Sequence, residues 1–369
     1  MLRPNRHVML PTAQINSASS PDPSAADLED IVAITKAVGD PLRTNLLKIL
    51  AQDSFAVLEL VDIFGIAQPA MSHHLKKLAA AGLVSKRREG THIFYQRTSP
   101  HAQGKPETTQ LLSALFRAID HSNPDASVVQ SIGDIHRARI ARSQHFFAHH
   151  ADALDHQGKL ICEPTVYIDH VIEIVTTYPN QSRPFNSALE VGPGGGKLLQ
   201  ALAPLFQNVT GVDNSEEVLV LTRQAVTALP NVQLLRADFI DLAPNDAVDL
   251  IVAGMVIHHL SSPISFFKQA ARLLSEHGLL IVAELCDHDQ NWVRESCGDL
   301  WLGFSPDQLS HWATQAGFKL EHRQFLAQRN GFRIQVCAFA LNRHKKHLLQ
   351  STNPVASPST PRDTLTRPN

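Results

Sequence analysis

The chain has 369 residues and a mass of 40.6 kDa, which at roughly 150 residues per domain implies two to three domains and excludes a single small module. Hydrophobic residues make up 43% and charged residues 18%, with a mean hydropathy of -0.10, the balance of a globular chain that buries a core, which excludes disorder throughout. Lys and Arg number 33 against 35 Asp and Glu, a net charge of -2, so no overall basic excess advertises nucleic acid and no acidic excess advertises a solvating tail.

In chain order, residues 1–25 are rich in Ser, Pro and Asn and poor in large apolar residues. They lack the surface to offset ordering entropy and read as a disordered tail. They hold no apolar run of the ~7–15 residues of a secretory signal, and nothing in the chain approaches the ~18 of a membrane span. Cys162, Cys286, Cys297 and Cys337 stand far apart without CxxC spacing. That usage fits a reducing compartment and argues against a disulfide framework or a zinc ribbon. The expected location is the cytoplasm, without a membrane partner.

Between Ala26 and Tyr95 the pattern reads as helix, helix, a pair of short helices and a hairpin. The pair opens at Val57, turns at Gly65 and restarts with Gln68 as a candidate N-cap and Pro69 at the first helical position. Met71, Leu75 and Leu78 recur at i, i+4 and i+7, and Gly82 stands where a glycine ends a helix. Two helices joined by a short glycine turn carry the helix-turn-helix signature. From Gln68 to Arg97, Lys76, Lys77, Lys86, Arg87, Arg88 and Arg97 face Glu89 alone, a local net charge of +5 that leaves -7 for the rest of the chain. Such a surface seeks phosphate, although the same residues also describe an ordinary solvated helix face and turn.

Thr98 to Thr109, with Pro100, Gly104 and Pro106, reads as a linker. Leu111, Leu112, Leu115, Phe116 and Ile119 then share one helical face, which either pairs with a second copy or packs on its own domain. Asp134 to Asp155 reads as an amphipathic helical connector with Phe146 and Phe147 adjacent. Its His145, His149 and His150 lack a carboxylate or cysteine partner, so no metal is expected there or elsewhere.

From Ser187 the pattern becomes strand, glycine loop, helix, strand. SALEV, NVTGVD, NVQLLRAD, VDLIVAG and GLLIVAEL are strands separated by helical segments, with Asn214 or Ser215 capping one helix and Ser262 ahead of Pro263 opening another. The alternation implies parallel strands with helices on both faces and a ligand at the carboxyl ends. Gly192, Gly194 and Gly196 are followed by Lys197, so the third glycine of the dinucleotide spacing is missing. Glu190 ahead of the loop, Asp213 with Asn214 after the second strand, and Asp238 with Phe239 after the third suit an adenosyl amino acid instead. The glycines admit the methionine portion, Asp213 accepts from the ribose hydroxyls, Asp238 accepts from the adenine amino group and Phe239 flanks the ring. Residues 343–369 read as a second disordered tail.

Two resemblances follow from these residues. Ala37–Leu50 (AVGDPLRTNLLKIL) and Ala67–Gln96 (AQPAMSHHLKKLAAAGLVSKRREGTHIFYQ) resemble, over about 70 residues, the winged helix of the ArsR/SmtB family of bacterial repressors. The resemblance implies a homodimer on double-stranded operator DNA, with the Pro69–Ala81 helix in the major groove. Gln68, Ser72, His73 and Lys76 would approach bases or phosphates, and Lys86, Arg87 and Arg88, in a wing running to Thr91, would lie against the backbone. Val61 and Ile63 stand where the family's metal sensors carry a Cys-x-Cys pair, which excludes a sensor metal at that site. The region from Ser187 resembles class I S-adenosylmethionine-dependent methyltransferases over about 150 residues. That resemblance implies S-adenosylmethionine or S-adenosylhomocysteine as cofactor, an aromatic lid from Phe147 and Tyr167, and His258 and His259 in the loop facing a methyl acceptor of unknown identity. A histidine there takes a proton from the acceptor, orients it, or merely caps the next helix. Asp287, His288 and Asp289 pose the same question.

The expected fold is α/β: an N-terminal winged helix-turn-helix (26–121), a helical connector (122–165) and a C-terminal Rossmann-like class I methyltransferase domain (166–342). The chain resembles bacterial fusions of these two parts, some of which respond to S-adenosylhomocysteine and control methionine-cycle genes. The leading expectation is a repressor whose second domain is a sensor. An active small-molecule methyltransferase under winged-helix control is the alternative, and an interaction protein with two degenerate domains is a third.

Overall fold

The computed structural model describes residues 28–89, 92–100, 104–150, 154–178, 185–244 and 247–342. Both expected tails and the wing tip at residues 90–91 lie outside them. The first part comprises α1 (Leu28–Val38), α2 (Pro41–Ile49), β1 (Phe55–Ala56), α3 (Val57–Phe64), α4 (Gln68–Ala80), β2 (Val84–Glu89), β3 (His92–Arg97) and α5 (Pro106–His121). Local chemistry sets the boundaries. The Asp40 side chain accepts from Arg43 N at 3.0 Å to start α2, and Glu59 Oε2 accepts from Ala56 N at 2.8 Å to start α3, satisfying donors that a helix start leaves orphaned. The strands form a sheet in the order β1-β3-β2, every pair antiparallel. Leu46, Leu47, Leu60, Met71, Leu75 and Leu78 meet beneath it in one core, each burial stabilising the unit by about 1.5–3 kcal/mol.

Two local expectations need correction. Helix α4 starts at Gln68, with Ala67 as a cap that offers no side chain, because Met71 N already donates to Ala67 O at 3.1 Å. The expected linker is shorter than Thr98–Thr109, since Pro106 opens α5; a proline lacks an N–H where a helix start has no use for one. On α5, Leu112, Phe116 and Ile119 are buried in the chain's own core, with Leu111 and Leu115 partly buried against it.

Helix α6 (Ala126–His150) runs 25 residues, roughly 37 Å, followed by α7 (Leu154–Ile161) and α8 (Pro164–Thr177). The second sheet is built from β4 (Ser187–Val191), α9 (Lys197–Leu202), β5 (Asn208–Asp213), α10 (Glu216–Val226), β6 (Val232–Arg236), β7 (Val248–Gly254), α11 (Pro263–Leu273), β8 (Leu274–Leu285), α12 (Val293–Ser296), α13 (Pro306–Gln315), β9 (Phe318–Ala327) and β10 (Arg333–Leu341). Its order is β6-β5-β4-β7-β8-β10-β9. The five expected strands are mutually parallel, whereas β10 runs antiparallel to both β8 and β9. The turn between β9 and β10 is too short for the crossover a parallel pair needs. Apolar clusters cover both faces, one around Phe266, Phe267, Trp312 and Phe339, the other around Val171, Leu199 and Val336. Strand order reverses between β4 and β7, which opens a crevice at their carboxyl ends.

The four cysteines are buried thiols, and among the described residues no helix is long and apolar enough to cross a membrane.

Candidate functional site

A cavity of about 260 Å³ occupies the crevice, close to the lower end of small-molecule pockets at roughly 300 Å³. Glu190, at the end of β4, is 3% exposed and its Oε2 has no hydrogen-bond partner. Burial holds its carboxyl well above the usual range. Asp213 ends β5, where Oδ1 accepts from Ser215 N at 2.9 Å; Ser215 in turn caps α10 by accepting from Val218 N. Burial raises the Asp213 carboxyl from 3.8 to about 6 against the pull of the Ser215 and Asn214 backbone N–H groups. Asp238 Oδ1 accepts from Ile240 N at 3.0 Å. Asn214 and Asp238 join Glu190 and Asp213 on the lining. An orphaned buried acceptor, two further carboxylates and open space above the loop fit a ligand rich in hydroxyl and amino donors.

The glycine loop divides into two roles. At Gly192, with φ 67°, a Cβ would lie 2.4 Å from Val256 Cγ2, so the residue lets the loop pass under Val256. At Gly194 and Gly195 a Cβ would meet nothing within 4 Å, and both line the cavity. Gly196 differs from expectation: it is not on the lining but turns toward Ala225 and Thr222 of α10. Phe239 borders the cavity yet is 4% exposed, its ring 5.2 Å from Phe266, so much of its surface is committed to the core. Tyr167 is a buried wall packed against Gly254 rather than a mobile cover. Phe147 meets the His259 ring edge-on at 4.9 Å.

His258 and His259 lie in a short turn after β7. His258 is 2% exposed; its Nδ1 is 2.6 Å from Glu284 Oε1 and its Nε2 3.9 Å from Asp299 Oδ1. Burial alone depresses a histidine, but Glu284 and Asp299 together raise His258 to about 9. His259 lies 3.3 Å from Gly298 O through Nδ1, and burial beside His258 holds it well below 6.5. Neither side chain caps α11, whose N-cap residue is Ser262. Asp299 and Gly195 are lining residues that sequence reasoning missed. No spacing pattern marks Asp299, which reaches the site only because the chain returns after β8.

Gln68, Ser72, His73, Lys76, Lys86 and Arg88 are exposed. Arg87 is not placed as expected: it donates to Gly303 O at 2.8 Å and Gln308 Oε1 at 2.9 Å, with its guanidinium 5.5 Å from the Phe304 ring centre. Arg87 and Arg88 also border Asp287, His288 and Asp289 across a second cavity, so this acidic turn faces the wing. His145, His149 and His150 are exposed on α6.

Helix α6 belongs to both parts. Val128, Ile132 and Ile135 pack on the N-terminal core, while Ile140, Ser143 and Phe147 line the cavity. Between them, Arg139 is buried. Its guanidinium holds Glu59 of α3 at 2.9 and 2.7 Å, Ser54 O at 3.0 Å and Ser261 O at 2.7 Å, and Ser261 lines the cavity.

Residues 40–86 match the family described as bacterial regulatory protein, arsR family. An HTH-type transcriptional regulator of Methanocaldococcus jannaschii is 46% identical over 68 residues, covering 18% of this chain and 76% of that protein. The regulator KmtR of Mycobacterium tuberculosis is 35% identical over 107 residues, 29% of this chain and 78% of its own length. The chain belongs to the ArsR family. Behind its helix-turn-helix this ArsR-family chain matches a methyltransferase domain over residues 189–282. Trans-aconitate 2-methyltransferase of Escherichia coli is 29% identical over 122 residues, 33% of this chain, and the match spans 46% of that enzyme. Among solved structures, the N-methyltransferase NodS of Bradyrhizobium japonicum with S-adenosyl-L-homocysteine is similar at a TM-score of 0.40 and 16% identity, covering 47% of this chain and 86% of that one.

Proposed function

We propose that this ArsR-family regulator binds double-stranded operator DNA as a homodimer and takes S-adenosylhomocysteine or S-adenosylmethionine into its methyltransferase domain as an effector. The observation that carries the reading is Arg139. One guanidinium ties Ser261, on the cavity wall, to Glu59 in the first helix of the helix-turn-helix. A ligand that moves the loop from Val256 to Ser262 must therefore rearrange a buried, charge-assisted cluster at the base of the DNA-binding unit. Regulation needs only that the two arrangements differ in ligand affinity. Glu190, Asp213 and Asp238 support an adenosyl ligand by their hydrogen-bonding capacity, with Gly194 and Gly195 leaving room for its amino-acid portion. Methionine-cycle genes are the targets such an effector implies.

The competing reading, an active methyltransferase, draws on His258 and His259 at the cavity wall. It is disfavoured because His258 faces a carboxylate at each nitrogen and His259 Nδ1 is engaged with Gly298 O at 3.3 Å, which leaves His259 Nε2 as the single candidate base.

The test is DNA affinity, measured on a duplex selected from a random pool, with and without saturating S-adenosylhomocysteine. Wild-type affinity is expected to change about 5–150-fold. The Arg139→Lys variant, which keeps the charge but loses the fork, should bind each ligand while the change collapses toward onefold. Unchanged wild-type affinity would sink the sensor reading, and undiminished coupling in Arg139→Lys would remove Arg139 from it.

A further inference from the structure

The geometry points to a divalent transition-metal site formed by His258, His259 and Asp299 at the wall of the cavity. One nitrogen from each imidazole and one carboxylate oxygen lie within 4.8 Å of one another. Both imidazoles come from one turn, and the carboxylate comes from the loop after α12, anchored by Leu300 N and Trp301 N donating to His258 O at 3.0 and 3.1 Å. Two imidazoles and a carboxylate are a donor set for a borderline ion such as Zn²⁺ or Co²⁺ rather than for Ca²⁺ or Mg²⁺, which take oxygen.

Two features favour a metal over a chance meeting of side chains. First, Glu284 Oε1 lies 2.6 Å from His258 Nδ1, the carboxylate–histidine arrangement that fixes a ligating tautomer and presents the other nitrogen. That other nitrogen, Nε2, is the one directed at Asp299, 3.9 Å away. Second, tetrahedral coordination at about 2.0–2.1 Å places neighbouring donors roughly 3.3 Å apart. The 3.9 Å from His258 Nε2 to Asp299 Oδ1 therefore needs to contract by about 0.6 Å, and the widest of the three separations, at most 4.8 Å, by at most about 1.5 Å. All three ligands line the cavity, so an oxygen or nitrogen donor of a small molecule could complete the coordination.

The inference stands independently of the adenosyl reading, since its test uses no adenosyl ligand. Untagged full-length protein is stripped with chelator, dialysed and titrated with Co²⁺ alone, with the ligand-field absorption followed and Zn²⁺ used to displace it. One tightly bound ion per chain is expected, with X-ray absorption of the wild-type Zn²⁺ form showing a two-imidazole shell. Asp299→Asn and His259→Gln should each abolish the absorption, and Glu284→Gln should weaken binding about 10–100-fold. Wild-type protein that binds no Co²⁺ overturns the proposal. So does wild-type affinity in a folded Asp299→Asn variant, or a wild-type Zn²⁺ shell without two imidazoles, which decides the matter even where a variant fails to fold.

Discussion

Replacing Asp213 by Asn tests whether the cavity is built for a ligand at the expense of the ligand-free fold. The Asp213 carboxyl is displaced from 3.8 to about 6, chiefly by burial, a difference equivalent to about 3 kcal/mol. The side chain keeps some solvent contact, so screening reduces the expected effect to about 2 kcal/mol. The sign follows from the raised value. The fold tolerates the protonated form, so the stability Asp213 contributes is full below pH 3.8 and is lost as pH rises through about 6. Asparagine keeps an oxygen able to accept from Ser215 N and never ionises. Urea denaturation at pH 8 should therefore find Asp213→Asn more stable than wild type by about 2 kcal/mol, with the difference shrinking toward zero by pH 4. Affinity for S-adenosylhomocysteine should fall about 10–100-fold, since charge-assisted bonds to the ribose contribute about 1.5–3 kcal/mol. A variant less stable than wild type at pH 8, or a difference that ignores pH, would refute the reasoning.

Other substitutions separate roles that look alike in sequence. Gly192→Ala combines a left-handed φ of 67° with a 2.4 Å approach to Val256 and should cost about 3 kcal/mol in denaturation, whereas Gly195→Ala, opening onto the cavity, should leave stability within about 0.5 kcal/mol while weakening the adenosyl ligand. Equal stability losses for the two would contradict this division. Lys76→Ala should lower the slope of log affinity against log salt by about 1. Arg87→Ala should change it less, because Arg87 is held by Gly303 and Gln308; equal slopes would place Arg87 on the phosphate backbone.

Much of the molecule was legible in the sequence because its signals are local. The Met71, Leu75 and Leu78 spacing, the glycine turn at Gly65, and the acids Glu190, Asp213 and Asp238 near the carboxyl ends of β4, β5 and β6 each depend on a handful of neighbouring residues, and the structure shows a helix, a turn and strand ends at or within two residues of those positions. Composition likewise exposed the basic stretch from Gln68 to Arg97. What the sequence could not determine is which of these residues meet. Asp299 carries no motif and joins His258 only through the return of the chain after β8. Gly196 is indistinguishable from Gly194 by spacing, yet it packs on α10 because the loop turns between them. Arg87 belongs to the basic stretch by charge but to the methyltransferase domain by contact. Arg139 reads as one more cation on a connector helix, and only the packing of α6 between two cores makes it the link between cavity and DNA-binding unit. Hydrophobic period and turn chemistry act over a few residues, whereas these partnerships are set by long-range packing, and the tertiary structure alone decided them.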